Sequence, residues 1–225
     1  MLKEAMDTGA HQDAHLAASL AADLDHAFPT LVAAHRDRLY TIALRLLGDS
    51  RDAEEVAQDA LVRAYRAIGG YPPARTSELR LRPWLAAITV NLARNRRRRH
   101  EDRQPAAQLE PLLTDGFDRA DEAAPSGPVT LVRREAAADL ATLLLELPPA
   151  VRVAVVLRHV DGLSVAETAA ALGRPEGTVK AQVSRGLERL RVLLSTSTAA
   201  DATPASATHP HVSSGRTFAA AEVLA

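Results

Sequence analysis

The stretch Asp161-Gly-Leu-Ser-Val-Ala-Glu-Thr-Ala-Ala-Ala-Leu-Gly-Arg-Pro-Glu-Gly-Thr-Val-Lys180 decides the fold. Ser164 followed three residues on by Glu167 is a capping-box pattern: a hydroxyl that accepts from the third amide of a helix, and a carboxylate that reaches back to the cap. The helix it opens runs to Leu172, Gly173-Arg174-Pro175 turn the chain, and a further helix starts at Glu176 and continues to Leu194. Two helices joined by a short turn containing glycine outline a helix-turn-helix. In such a unit the second helix lies in the major groove, and the N-terminus of the helix before it meets the phosphate backbone. Ser164 is therefore a backbone-contact candidate, and Thr178, Lys180, Ala181, Gln182, Ser184 and Arg185 are the residues that begin the reading helix. Gln182 suits adenine, Lys180 and Arg185 suit guanine or phosphate, and Ala181 leaves space for a thymine methyl. Val179, Val183, Leu187 and Leu190 form the apolar stripe of that helix. Taken in isolation, the pattern also fits an antiparallel helix pair with a solvated basic face.

Upstream of this unit, helical patterning covers Leu131 to Leu147, stops at Pro148-Pro149 and resumes from Val151 to Val160. Residues 101–130 lose all periodicity and hold Pro105, Pro111, Gly116, Pro125, Gly127 and Pro128. From 104 to 130 five acids face Arg119 alone, so the segment reads as a flexible acidic linker. Before it, apolar residues from Phe28 to Leu47 recur at three- and four-residue spacing until Gly48. A second stripe follows from Ala53 through Val56, Ala57, Ala60, Leu61, Ala64 and Tyr65 to Ile68, with Asp49 or Ser50 as its cap. Gly69 to Arg82 reads as a proline-rich loop, and Pro83 suits the first position of a helix that carries Trp84 and runs into Arg96 to Arg99. The expected architecture is all-α, with two small helical domains on a flexible acidic linker. Its boundaries are an N-terminal extension at 1–26, a first domain at 27–100, the linker at 101–130, a second domain at 131–195 and a disordered tail at 196–225.

The formal net charge of −1 hides a strong separation of charge. Residues 79–103 hold eight arginines against two acids, and residues 174–191 hold five bases against two acids, so each domain has one basic element. Residues 1–60 hold eleven acids against five bases, which disfavours DNA there and points to a protein partner. The chain has no cysteine, so disulfides, thiolate nucleophiles and thiolate metal sites are excluded. No apolar run is long enough to span a bilayer and no basic start precedes an apolar stretch, so neither membrane insertion nor export is expected. No nucleophile with its base, phosphate-cradling glycine loop or paired carboxylates stand out, so neither catalysis, nor a small-molecule substrate, nor a cofactor or metal is expected.

Three ordered motifs carry a family resemblance. Gly48-Asp49 through Asp52-Ala-Glu-Glu-Val-Ala-Gln-Asp-Ala-Leu-Val-Arg-Ala-Tyr65 resembles region 2.2 of extracytoplasmic-function sigma factors. Trp84-Leu-Ala-Ala-Ile-Thr-Val-Asn91 with the arginine run resembles regions 2.3 and 2.4, and Asp161-Gly-Leu-Ser through Gly177-Thr-Val-Lys180 to Leu190 resembles region 4.2. The resemblance implies a promoter-specificity subunit without catalysis of its own. Asp49, Asp52, Glu55, Gln58, Asp59 and Arg63 would dock on core RNA polymerase. Arg82, Asn91, Arg94, Asn95, Arg97 and Arg98 would lie along the minus 10 element of promoter DNA, and the reading helix on the minus 35 element. Trp84 is the tempting base-stacking aromatic, but its place on the apolar stripe favours the core. An anti-sigma factor partner and a cytoplasmic location are implied as well. The alternative is a stand-alone helix-turn-helix transcriptional regulator, which would bind a two-fold-symmetric operator without polymerase.

Overall fold

A computed structural model describes residues 2–103 and 140–201, with side chains for 11–100 and 140–196. Of the linker expected at 101–130 only 101–103 are described, and of the tail expected at 196–225 only 196–201; both pieces are helical, and the rest lies outside the described residues. All the regular structure described is helical.

The first unit contains α1 (Leu2–Ala22), α2 (Leu24–Leu47), α3 (Ser50–Gly69), α4 (Pro73–Ser77) and α5 (Leu81–Arg103). Each junction has a local cause. Asp23 caps α2 by accepting from the His26 amide at 3.0 Å, and Asp49 caps α3 by accepting from the Asp52 amide at 2.7 Å. Gly48 closes α2 at φ 80°, its N–H donating to the Leu44 carbonyl at 2.8 Å, a left-handed C-terminus that glycine adopts without a Cβ penalty. Leu31, Leu39, Ile42, Ala53, Ala60, Ala64, Leu81 and Leu85 are buried where α2, α3 and α5 meet. Full burial of such a leucine contributes about 1.5–3 kcal/mol.

Two expectations change here. Within the segment 1–26, expected as an N-terminal extension, Leu16, Ala17 and Leu20 of α1 enter the core, and buried His35 of α2 sits 3.3 Å from Asp13. The loop after Gly70 holds the short helix α4, and α5 starts at Leu81, so Pro83 is its third residue and not its first. A proline there removes no hydrogen bond, because the opening amides of a helix have no intrahelical partner.

The second unit contains helical residues 140–145, α6 (Pro149–Val155) continuing into a π turn (Val156–Val160), α7 (Val165–Leu172) and α8 (Glu176–Asp201). The π turn closes through the Asp161 amide on the Val156 carbonyl at 2.9 Å. Gly173, at φ 60°, ends α7. Gly186 lets α8 press onto α6: a Cβ there would collide with Val155 and lie 2.9 Å from Val151 Cγ1.

The two units are packed together along a seam. The Asp161 carboxylate, with a fully buried side chain, accepts from Arg38 Nε at 2.5 Å and Nη2 at 2.6 Å, while Arg82 Nη2 donates to the Asp161 carbonyl at 2.7 Å. Buried Arg152 of α6 donates to the carbonyls of Leu46 at 2.8 Å, Leu145 at 2.5 Å and Leu147 at 3.1 Å, satisfying helix C-terminal acceptors that have no intrahelical donor. Gly48 completes the seam, since a Cβ on it would lie 2.5 Å from a methyl of Leu145.

Candidate nucleic-acid interface

The start of α8 presents Thr178, Lys180, Ala181, Ser184 and Arg185 to solvent, while Val179 and Leu190 are buried against the rest of the unit. Gln182 departs from the expected reading face. It is 8% exposed, and its Oε1 accepts from Arg174 Nη1 at 3.0 Å, so in this form its amide does not face a base edge. The cause is periodic: Val179, Gln182, Gly186 and Leu190 recur at three- and four-residue spacing and share the inward face. Ser164 serves as the cap foreseen for it, its Oγ accepting from the Glu167 amide at 3.1 Å and its own amide donating to Glu167 Oε2 at 2.8 Å. Burial alone would raise the Glu167 pKa, but the hydrogen bonds from Ser164 and the charges of Arg80 and Arg82 outweigh it and hold the carboxyl below its ordinary value.

On α5, Asn91 and Arg98 are exposed, whereas Arg94, Asn95 and Arg97 are half-buried and Arg82 is drawn into the seam by Asp161. Arg94 Nη2 is buried without a hydrogen-bond partner among the described residues. Burial lowers the Arg94 pKa, and the neighbouring charges of Arg174 and Arg97 push it the same way. Trp84 packs partly buried against the core. The aromatic near it is Tyr71, half-buried as well, 6.3 Å from the Trp84 ring between centroids, with the Arg75 guanidinium 3.9 Å above its face. Neither Tyr71 nor Arg75 was foreseen from the sequence. An aromatic and an arginine flanking the prolines of that loop were the available signal.

The acidic helix α3 divides into two groups. Gln58, Asp59 and Arg63 are exposed, together with Val62, which is 47% exposed and lies off the apolar stripe. Asp52 and Glu55 turn toward α5. Arg96 binds Asp52 at 2.6 Å and Glu55 at 2.7 Å, and His100 Nε2 lies 2.9 Å from Asp52. The hydrogen bond to Asp52 is the main reason the Arg96 pKa is raised. Asp49 is exposed and caps the helix. Tyr65, placed on the apolar stripe by sequence, is exposed instead. Its hydroxyl donates to Asp25 at 2.5 Å, and its ring meets Phe28 edge-on at 5.0 Å.

Among the described residues no cluster of three metal-ligating side chains occurs, and no helix is long and apolar enough to cross a membrane.

Two family models match the chain. Residues 31–103 match the family described as Sigma-70 region 2, and residues 137–190 match Sigma-70, region 4. The chain is 36% identical to the ECF RNA polymerase sigma factor SigE of Mycolicibacterium smegmatis over 72% of its own length and 59% of that longer relative. It is 31% identical to the ECF RNA polymerase sigma factor SigW of Bacillus subtilis, over 73% of this chain and 87% of the relative. Among solved structures, CnrH in complex with the cytosolic domain of CnrY superposes with a TM-score of 0.57 at 27% identity, covering 82% of this chain and 97% of that one. The sigma factor RpoE in complex with the anti-sigma factor NepR from Bartonella quintana gives a TM-score of 0.55 at 25% identity, over 75% and 96% of the two chains.

Proposed function

Because this chain belongs to the extracytoplasmic-function family of RNA polymerase sigma factors, we propose that it binds core RNA polymerase and directs it to a promoter that it recognises at two places. The observation that carries this reading is the pairing of two basic elements, the arginine-rich end of α5 and the exposed start of α8, in a chain whose α3 offers a separate polar face. One duplex-reading helix would suffice for a stand-alone regulator. The second basic element and the α3 face have a use only if the protein bridges polymerase and DNA.

In this reading Asn91, Arg94, Asn95, Arg97 and Arg98 of α5, with Arg82 once released from Asp161, track the minus 10 strand. Tyr71 with Arg75 forms the stacking surface nearest an extruded base, a capture that stacking favours. Thr178, Lys180, Ala181, Ser184 and Arg185 face the minus 35 element, and Gln182 joins them only if Arg174 lets go of it. Ser164 sits at the N-terminus of α7, where phosphate is favoured. Gln58, Asp59, Val62 and Arg63 form the outer docking face for polymerase, with Asp49, Asp52 and Glu55 at its edge. The protein performs no chemistry itself, works in the cytoplasm where polymerase and promoter are found, and is held in reserve by an anti-sigma protein, as RpoE is bound by NepR in the solved complex.

The test is association with core polymerase followed by run-off transcription from a promoter library. Weak DNA binding by the free chain and a sharp gain on adding core polymerase are expected. Tight binding to a symmetric operator without polymerase, and no association with polymerase, would overturn the reading in favour of a stand-alone regulator.

A further inference from the structure

Between the two units lies a cavity of about 170 Å³ whose wall carries Arg94 and Arg97 from α5, Arg152 from α6 and Arg174 from the turn before α8. Leu46 and Val153 contribute to its apolar lining, and no acidic residue lines it. Glu146, outside the lining, is the acid that acts on Arg152. Two of the four guanidiniums keep a buried nitrogen without a partner among the described residues: Nη2 of Arg94 and Nε of Arg152, the latter on a side chain whose residue is only 9% exposed. Arg174 is held in place by Gln182, which engages one of its nitrogens. Arginine remains charged under all ordinary conditions, so four like charges line one space. Proteins leave buried donors unsatisfied only rarely, and buried charges normally have a partner of opposite sign.

We propose that this cavity binds a small phosphorylated anion bearing a pyrophosphate group, gripped by Arg94 and Arg97 on one side and Arg174 on the other, while Arg152, whose terminal nitrogens stay on the Leu46, Leu145 and Leu147 carbonyls, offers its Nε and its charge. Planar guanidinium forks match phosphate oxygens two at a time. A single phosphate monoester carries roughly −1.5 to −2, and two joined phosphates carry about twice that and offer oxygens to both walls of the cavity. The ligand contacts both units, so it favours the closed arrangement over any open one by its difference in affinity for the two. Arg94 and Arg97 also serve the proposed minus 10 interface, so an occupied cavity competes with the promoter. That consequence rests on the functional reading above, whereas the binding itself does not.

Calorimetric titration of the full chain with inorganic pyrophosphate, at a salt concentration of about 0.15 M to screen non-specific attraction, tests the proposal. One site per chain is expected, with affinity reduced about tenfold or more in Arg174→Ser and in Arg94→Gln, each having lost a charge-assisted hydrogen bond. Arg189→Ser removes an exposed base of α8 outside the cavity and should retain the full affinity. Thermal melting of each variant establishes that it is folded. Parallel titration with a nucleoside diphosphate identifies the source of the group: tighter binding than pyrophosphate assigns a nucleotide, and equal binding assigns the diphosphate alone. Absence of binding, or an equal loss in Arg174→Ser and Arg189→Ser, overturns the site. Polymerase is not involved in this measurement, so its failure leaves the transcriptional assay untouched.

Discussion

Gly186 shows how much one side chain can decide. It lies where α8 crosses α6, and even a methyl group would overlap Val155 and crowd Val151. We expect Gly186→Ala to destabilise the second unit by about 1–3 kcal/mol, the usual penalty for overpacking, even though alanine favours helix more than glycine does. Chemical denaturation of the full chain measures it. Glu167 offers a second residue-scale test. Its pKa is depressed in the folded state, so its contribution is complete above the ordinary carboxyl pKa of 4.5 and is lost as pH falls below that value through the folded one. Glu167→Gln should therefore melt at lower temperature than the parent near neutral pH, and the gap should narrow on acidification below the ordinary value.

At the scale of elements, α3 separates binding from folding. Asp59→Arg places a reversed charge on the open face and should weaken polymerase association at least about tenfold, as truncation or reversal at a central contact commonly does. Its melting temperature should match the parent. Asp52→Arg should lower that temperature, because it sets a guanidinium against Arg96 and His100 on α5. Co-purification and melting, measured on both variants, separate the two roles. The sequence made α2, α3 and the α7–α8 pair legible because each has a one-sided apolar stripe and a chemical stop signal such as Gly48, Gly173 or the Ser164–Glu167 box. It left α4 unread, since five residues opened by Pro72-Pro73 are too few to show a period. Gln182 and Tyr65 were misplaced for opposite reasons. A polar side chain occupied the inward face because Arg174 satisfied it there, and an aromatic at an apolar position turned outward because Asp25 and Phe28 received it.

At the scale of the molecule, the closed seam is at odds with reading a promoter at two places. Elements centred about 25 base pairs apart are separated by about 85 Å at 3.4 Å per pair. A compact body of about 160 residues has a radius of gyration of about 15 Å. The units must part before both elements are engaged, and Asp161 is the principal bond to break. Asp161→Asn keeps the shape but leaves Arg38 with an uncompensated charge, a loss of about 3–5 kcal/mol for a buried pair. Small-angle scattering should show an expanded chain with both units still folded, and an unchanged radius would mean that the remaining seam contacts, Arg152 on the Leu46 carbonyl and Arg82 on the Asp161 carbonyl among them, hold it without the ion pair. No sequence pattern announces such a seam, because Arg38 and Asp161 are 123 residues apart and neither sits in a periodic context that marks the other.

The tight crossing at Gly186 also has a practical side. Since α8 is anchored by its inward residues, Thr178, Lys180, Ala181, Ser184 and Arg185 form a cassette standing clear of that anchor. If those five side chains read the minus 35 element as proposed, exchanging them as a block between relatives should move promoter choice without redesigning the interior. Orthogonal genetic circuits could then be assembled by exchanging a few outward side chains on an otherwise constant scaffold.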